Sequence, residues 1–548
     1  MLVELWIFQG STTRAHQART PRTATSYTHC CNRPSTKAVD PIKPVWQRVT
    51  IEALELRTAG QSGSIRLVFT EEETKVSTYN KSKLYSTIFV ANAVLLSSAS
   101  VQAAKFDFHG DMNNRFQAYS NQRDWFNGSG LTGKENTLKD DGETENFGEL
   151  KYRFWFEAAT DNDEVKGVYA TEIGGIRYGE GSGGDFSGDG VNVETRWAYV
   201  DFAVPSNSDH RIKMGLQPVS VDPHLWNETA TGVMAQGPLS HMWNYGLLWG
   251  RGDSSNENAA ESADDGFDGA DNFAINIDGA VSPHLKVGGF LLYQTNDQIS
   301  EGTGNINSIG YELKAIADNS RYDVSNVGGT FDYRSPSSGG NLFVKGTAIY
   351  QTGTIEGVTF TPLSGAASAN DSFDLSAFFL RGDIGYDFGA TTLTYTVWYS
   401  SGDDNATDGD FDAFIATDVD INESMIFQEN FTDDDYFAET PYLLDKGYLM
   451  NKVQVDHKLS SQVTVSGMAI YNALAEDVAL ADGSEDNSLG FEFGGRLTYK
   501  PYSGLEIAAE AAYLVAGDAM DAFEEAAIQD GKADEDIVHI AGRVRYKF

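Results

Sequence analysis

Charged residues recur at alternate positions in several apolar-patterned stretches: Lys151, Arg153 and Glu157; Arg211 and Lys213; Arg381 and Asp383; Glu492 and Arg496; Arg543 and Arg545. A spacing of two puts each set on one face of an extended strand. Such a face does electrostatic work, keeping a wall wet and sorting solutes by charge and size. Glu257, Glu261, Asp264, Asp265 and Asp268 crowd a polar acidic segment that could face the basic positions across a gap and set up a transverse field. Taken singly, each of these charges reads more simply as a solvated residue on a wet wall.

Catalytic patterns are weak by comparison. His109, His210, His224, His241, His284, His457 and His539 are scattered, with no His-x-x-x-His pair and no Gly-x-Ser-x-Gly turn. Neither a zinc hydrolase nor a hydrolase elbow is signalled. A Ser/His/acid site assembled from distant strands would escape such a scan, and spacing gives it no support. Asp408, Asp410 and Asp412 imitate the start of a calcium loop, but Ala413 stands where glycine is needed and no glutamate closes it. No metal site and no cofactor is expected. Arg251-Gly252-Asp253 matches an adhesion tripeptide that is common by chance.

The elements that must carry these faces are strands. From Lys105 onward, segments of ten or so residues alternate polar and apolar, separated by very short turns or by long acidic, Gly/Ser/Asn-rich loops. The reading gives sixteen strands, near 105–120, 146–160, 165–178, 192–204, 209–219, 270–281, 285–296, 322–334, 340–352, 372–388, 390–402, 445–459, 461–473, 487–500, 504–516 and 536–548. Short turns at 161–164, 205–209, 282–284, 335–339, 389, 460 and 502–504 alternate with long loops, the longest being 220–269 and 403–444. Strict short-long succession is the pattern of a transmembrane antiparallel up-and-down β-barrel, with the short turns on the side of both termini. Segment 305–320 is placed in an outside loop as a helical turn. Tyr333, Tyr386, Tyr499 and Tyr546 end downward strands and Tyr293, Tyr350, Tyr399, Tyr471 and Tyr513 end upward ones, as aromatic girdles at two interfaces require.

The chain divides into three parts. Residues 76–103 hold lysines 81 and 83, an apolar run over 84–96 and small residues before Ala104, the parts of a secretory signal peptide. Residues 1–75 precede it without strand or helix period and are expected to be a disordered extension, with the translation start near Val76. Residues 104–548 form the barrel, with 28 Lys+Arg against 72 Asp+Glu, a net charge of about −44. Nucleic acid is an unfit partner for such a chain. Both cysteines, Cys30 and Cys31, lie ahead of the signal, so the exported part has neither disulfide nor thiolate site.

Two stretches carry a family resemblance. The last strand, IVHIAGRVRYKF, sets Val538, Ile540, Val544, Tyr546 and Phe548 on one face and ends on the aromatic; the block VETRWAYVDFAVPSNSDHRIKMGLQPVS covers 193–220. Both resemble Gram-negative outer-membrane porins of the sixteen-stranded general-diffusion type. The resemblance implies a water-filled channel for passive diffusion of small hydrophilic solutes and ions, a homotrimer, and a third loop (220–269) folded into the lumen. It also implies that Tyr546 and Phe548 are read by the barrel insertion machinery, and that lipid and lipopolysaccharide surround the barrel. Two alternatives stay open: a substrate-selective channel, or a surface receptor or adhesin anchored by a barrel. Selectivity for sugars would be marked by a lumen ladder of aromatics, and Trp155 and Trp398 have the right parity but few companions. Selectivity for phosphates or acids would be marked by stacked arginines.

Overall fold

The computed structural model describes residues 3–5, 49–51, 105–120, 144–179, 191–252, 270–299, 313–316, 320–337, 340–360, 362–363, 368–417, 419, 421–428, 431, 444–523, 529–533 and 536–548. Within residues 1–94, the described part is one short antiparallel pair, Val3–Leu5 with Val49–Ile51. The extension and signal-peptide readings otherwise lie outside the described residues.

The second unit is a closed antiparallel barrel of eighteen strands. These are β1 (Lys105–Ser120), β2 (Thr144–Ala159), β3 (Val165–Arg177), β4 (Glu194–Val204), β5 (Asn207–Asp222) and β6 (Trp226–Pro238). Next come β7 (Trp243–Arg251), β8 (Asp271–Ser282), β9 (Leu285–Ile299), β10 (Ser320–Ser337), β11 (Gly340–Glu356) and β12 (Ser372–Asp387). The circuit ends with β13 (Thr391–Ser400), β14 (Tyr448–Lys458), β15 (Val463–Ala479), β16 (Glu485–Tyr502), β17 (Leu505–Ala516) and β18 (Ile537–Lys547). Each strand pairs with its neighbours in sequence, and β18 closes on β1, with Val538 opposite Ser120 and Lys547 opposite Asp111. Closure leaves no strand edge inside the bilayer, so ladder N–H and C=O groups are satisfied within the wall.

Sixteen strands were expected, and the two extra ones are β6 and β7, which fall in the stretch read as a long third loop. Their period of two is blurred on β7, where inward Leu248, 8% exposed, directly follows outward Leu247, 45% exposed, and glycines hold the neighbouring lumen positions 246 and 250. Gly232, Gly237, Pro238, Gly246 and Gly250 add breaker signals to real strands. The strict short-long order fails at the same place, since β5 and β6 join through residues 223–225 on the loop side. Segment 305–320 forms no helical turn among its described residues; Leu313–Ala315 pairs with Val358–Phe360 as a small separate sheet.

The two faces of the wall separate cleanly. On β16, Phe491, Phe493, Leu497 and Tyr499 point outward at 41–50% exposure, while Glu492 between them is fully buried inside. The nine girdle tyrosines share the outward face. An apolar outer belt and a polar interior are what a lipid-embedded barrel demands.

Candidate functional site

The lumen is crossed by the chain itself. Between β13 and β14, Phe411, Phe414, Ile415, Ile421, Met425, Ile426, Phe427 and Phe431 are buried, although their segment was read as an acidic external loop. So many apolar side chains in one connection must find cover, and the barrel interior supplies it. The wall grips the segment around much of its circumference. Gln351 on β11 donates to the Ile415 carbonyl at 2.9 Å and accepts its N–H at 3.0 Å. Thr417 donates its hydroxyl to Gln294 on β9 at 3.1 Å and its N–H to the Leu225 carbonyl at 2.8 Å.

Further along, Glu423 bridges Arg381 on β12, at 2.5 Å, and Lys452 on β14. Burial raises the Glu423 carboxyl, but the Lys452 and Arg381 charges outweigh it and hold its pKa below the ordinary value. Ser424 donates its hydroxyl, and Met425 its N–H at 2.8 Å, to Glu492 on β16. Phe431 is clasped at three points: Arg115 donates to its carbonyl at 2.9 Å, while the Arg496 and Arg543 guanidinium groups lie 4.8 and 4.3 Å from its ring centre. Each cation–π contact contributes about 1 kcal/mol. At the loop base, Lys446 donates to the Asp403 carbonyl at 2.8 Å and pairs with Asp445 at 3.1 Å. Burial pushes the Asp403 carboxyl up to about 6, with the Asp445 charge adding to it.

A second element enters from the opposite wall. The tip of the β5–β6 hairpin turns inward, held by Asp222, which accepts the His224 N–H at 2.9 Å and contacts its ring nitrogen at 3.1 Å. The His224 ring stacks on Phe379 of β12 at 5.0 Å and meets Trp398 of β13 edge-on at 5.3 Å. On the termini side of this contact lies a chamber of about 610 Å³. Its lining includes His224, His241, Lys286, Lys345, Arg381 and Asp383.

The charged positions picked out by parity lie on the wall, and the structure gives several of them a carboxylate partner there. Lys151 and Arg153 converge with Arg196 on Glu172 of β3, at 3.4, 2.5 and 3.0 Å. Arg211 pairs with Asp201 at 2.8 Å, and Lys213 has no ion pair among the described residues. Arg381 contacts Asp383 at 3.1 Å in addition to Glu423. Arg496 pairs with Glu510 at 2.7 Å, Arg543 with Glu506 at 2.6 Å and Arg545 with Asp111 at 2.6 Å. Apart from Arg381, which also meets Glu423 of the crossing segment, these counter-charges sit on neighbouring strands of the same wall.

Glu257, Glu261, Asp264, Asp265 and Asp268 lie outside the described residues. The connection that holds them, 252–270, follows β7, and the stretch 220–269 is not one inward loop. Tyr546 and Phe548 point outward, and the Phe548 backbone exchanges two hydrogen bonds of 3.0 Å with Gly110 at the seam. Trp398 is on the lumen face yet fully buried under the inward hairpin.

Sequence reasoning missed Arg115, Glu172, Arg196, Glu423, Glu510 and Phe431. Parity on their strands could have found Glu172 and Glu510. Nothing in spacing marks Glu423 or Phe431, whose roles depend on where a loop goes.

Fold and lumen together define a transmembrane β-barrel whose interior is narrowed by its own chain. No protein-family profile and no curated protein matches it. Among solved structures, it is similar to the outer membrane protein OprD from Pseudomonas aeruginosa, at 11% identity and a TM-score of 0.47 over 82% of this chain and 95% of that one. OccK9 (OpdG) of the same organism gives 11% identity and 0.47 over 81% and 99%. OpdK of that organism, solved with vanillate, gives 9% identity and 0.46 over 81% and 98%.

Proposed function

We propose that the chain is an outer-membrane channel that passes small hydrophilic solutes selectively, in place of the wide general-diffusion pore expected from its porin resemblance. The crossing of the lumen by residues 411–431 carries this reading. A general-diffusion pore needs an open aqueous path, whereas here a segment bonded to β1, β9, β11, β12, β14, β16 and β18 occupies its middle. Solutes must pass beside it, along walls where paired charges offer both donors and acceptors. The paired walls also argue for weak preference between small cations and anions.

The test is single-channel recording from refolded 104–548 protein in planar bilayers, beside a variant with residues 411–431 replaced by a short Gly/Ser linker. Small steps in the native protein and severalfold larger steps in the variant support the proposal; steps arriving in threes would support a trimer. Large steps in the native protein would restore the general-diffusion reading. Silence from both folded proteins would favour a barrel-anchored receptor.

A further inference from the structure

Trp155 has companions that sequence spacing hides. Strand register sets His109 on β1 beside Trp155 on β2, Trp155 beside Ala170 on β3, and Ala170 beside Trp197 on β4. Three aromatic rings and a methyl group thus form one row across four adjacent strands. The row faces the lumen, because the neighbouring Phe108, Phe156 and Tyr169 point outward at 49%, 50% and 46% exposure. His109 stacks on Trp155 at 5.1 Å, and the Trp155 and Trp197 rings meet edge to face at 6.0 Å above buried Ala170. All three rings remain partly exposed on the lumen side, with one face of His109 and one of Trp155 taken up by their mutual stack.

The charges around the row decide what kind of solute fits. Five flanking carboxylates are already paired: Asp107 with Lys105 at 2.9 Å, Asp111 with Arg545 at 2.6 Å, Glu157 with Lys166 at 2.7 Å, Glu172 with Arg153 at 2.5 Å and Asp201 with Arg211 at 2.8 Å. Outside the pairs stand Glu194 and Lys213, opposite Glu172 and Asp201. A charged solute meeting any of these pairs would have to break it to gain a full counter-charge. A neutral polyol would not, since the remaining lone pairs and N–H groups can serve hydroxyls without disturbing the pairs. The rings in turn favour a molecule with a flat apolar face. A pyranose combines a C–H face with a rim of hydroxyls.

We propose that this row is a lumen subsite for neutral sugars in pyranose form, an inference that rests on the reading of the barrel as a selective channel. The rings take the C–H face, and the paired charges on either side hold the hydroxyls. Trp398, buried on the far wall, has no part in it.

Refolded 104–548 protein in detergent is titrated with methyl glucoside, followed by tryptophan fluorescence and calorimetry. Mannitol, an acyclic polyol without a flat face, and benzoate, a flat anion, are the comparison probes. Saturable binding of the glucoside alone is expected. Trp155→Ala should weaken it about tenfold, the loss of one ring contact, and Trp155→Phe should recover most of the affinity. The heat-dependent gel shift of a folded barrel serves as the control for each variant, with Trp197→Ala as a second truncation of the row. In liposome swelling, the glucoside should pass faster than mannitol, and the excess should vanish in Trp155→Ala. Equal binding of glucoside and mannitol, tighter binding of benzoate, or glucoside affinity unchanged in both folded alanine variants would overturn the subsite. Glucoside binding that depends on Trp155, without passage of any solute or ion, would uphold the subsite and overturn the channel reading.

Discussion

Replacing Glu423 by glutamine tests whether the lumen-crossing segment is held by charge. The carboxylate bridges Arg381 and Lys452, whose side chains are 21% and 7% exposed, and is itself 17% exposed. Removing one member of a largely buried ion pair costs roughly 3–5 kcal/mol; the partial exposure, and the Asp383 carboxylate 3.1 Å from Arg381, favour the lower end. About 3 kcal/mol raises the population of a detached segment by roughly two powers of ten. Single-channel records should therefore show Glu423→Gln flickering to a larger conductance, and protease should cut within 401–447 faster than in the native protein. Acid should imitate the mutation. Because Lys452 and Arg381 hold the folded pKa below the ordinary carboxylate value, the stabilisation is complete above that value and is lost as pH falls through the lowered one. Glu423→Gln should be insensitive to that acid step. Identical conductance, gating noise and protease resistance in the folded variant would refute the latch.

Other perturbations probe separate parts of the structure. Phe431→Ala removes two cation–π contacts, about 2 kcal/mol in all, and hydrogen exchange around residue 431 should speed up while the barrel strands stay protected. Asp403 titrates near 6 because it is buried, so the folded loop base binds an extra proton between the ordinary value and about 6. That contribution is full at lower pH and is lost as pH rises through about 6; Asp403→Asn should flatten this dependence in a pH series of hydrogen exchange at residues 400–408. Gly504 turns the chain between β16 and β17 at φ +77°, and an added Cβ would lie 2.1 Å from the Lys547 carbonyl oxygen. Gly504→Ala should cost more than the roughly 1–2 kcal/mol of the left-handed backbone alone, because the Lys547 carbonyl must also give way; the loss is read as a lower unfolding temperature in the heat-shift gel. Deleting Phe548 removes the hydrogen bonds to Gly110 at the seam and should lower the yield of folded barrel in membranes; unchanged yield would show that the seam forms without it.

The sequence alone determined the kind of wall. Alternation of apolar and polar residues over most strands, aromatics at strand ends and the apolar face of the last strand all follow from a sheet with lipid on one side and water on the other. That period is a local property and survives without knowledge of neighbours. It failed over 226–251, where Leu248 is buried on the lumen face of β7 and glycines on both strands blunt the contrast between the faces. Strand number was lost with it.

What tertiary structure decided is the use of the interior. Parity placed Lys151, Arg153, Arg211 and Arg496 on the lumen wall, but only register shows that their carboxylate partners stand on adjacent strands. Likewise, only register aligns Trp155 with His109 and Trp197, which are far apart in the chain. The acidic look of residues 401–447 masks the apolar side chains that bring 411–431 inside, because composition averages over a segment while burial acts on each side chain. A barrel wall can be read strand by strand; the path through it is set by contacts between residues such as Arg115 and Phe431, which no local pattern brings together.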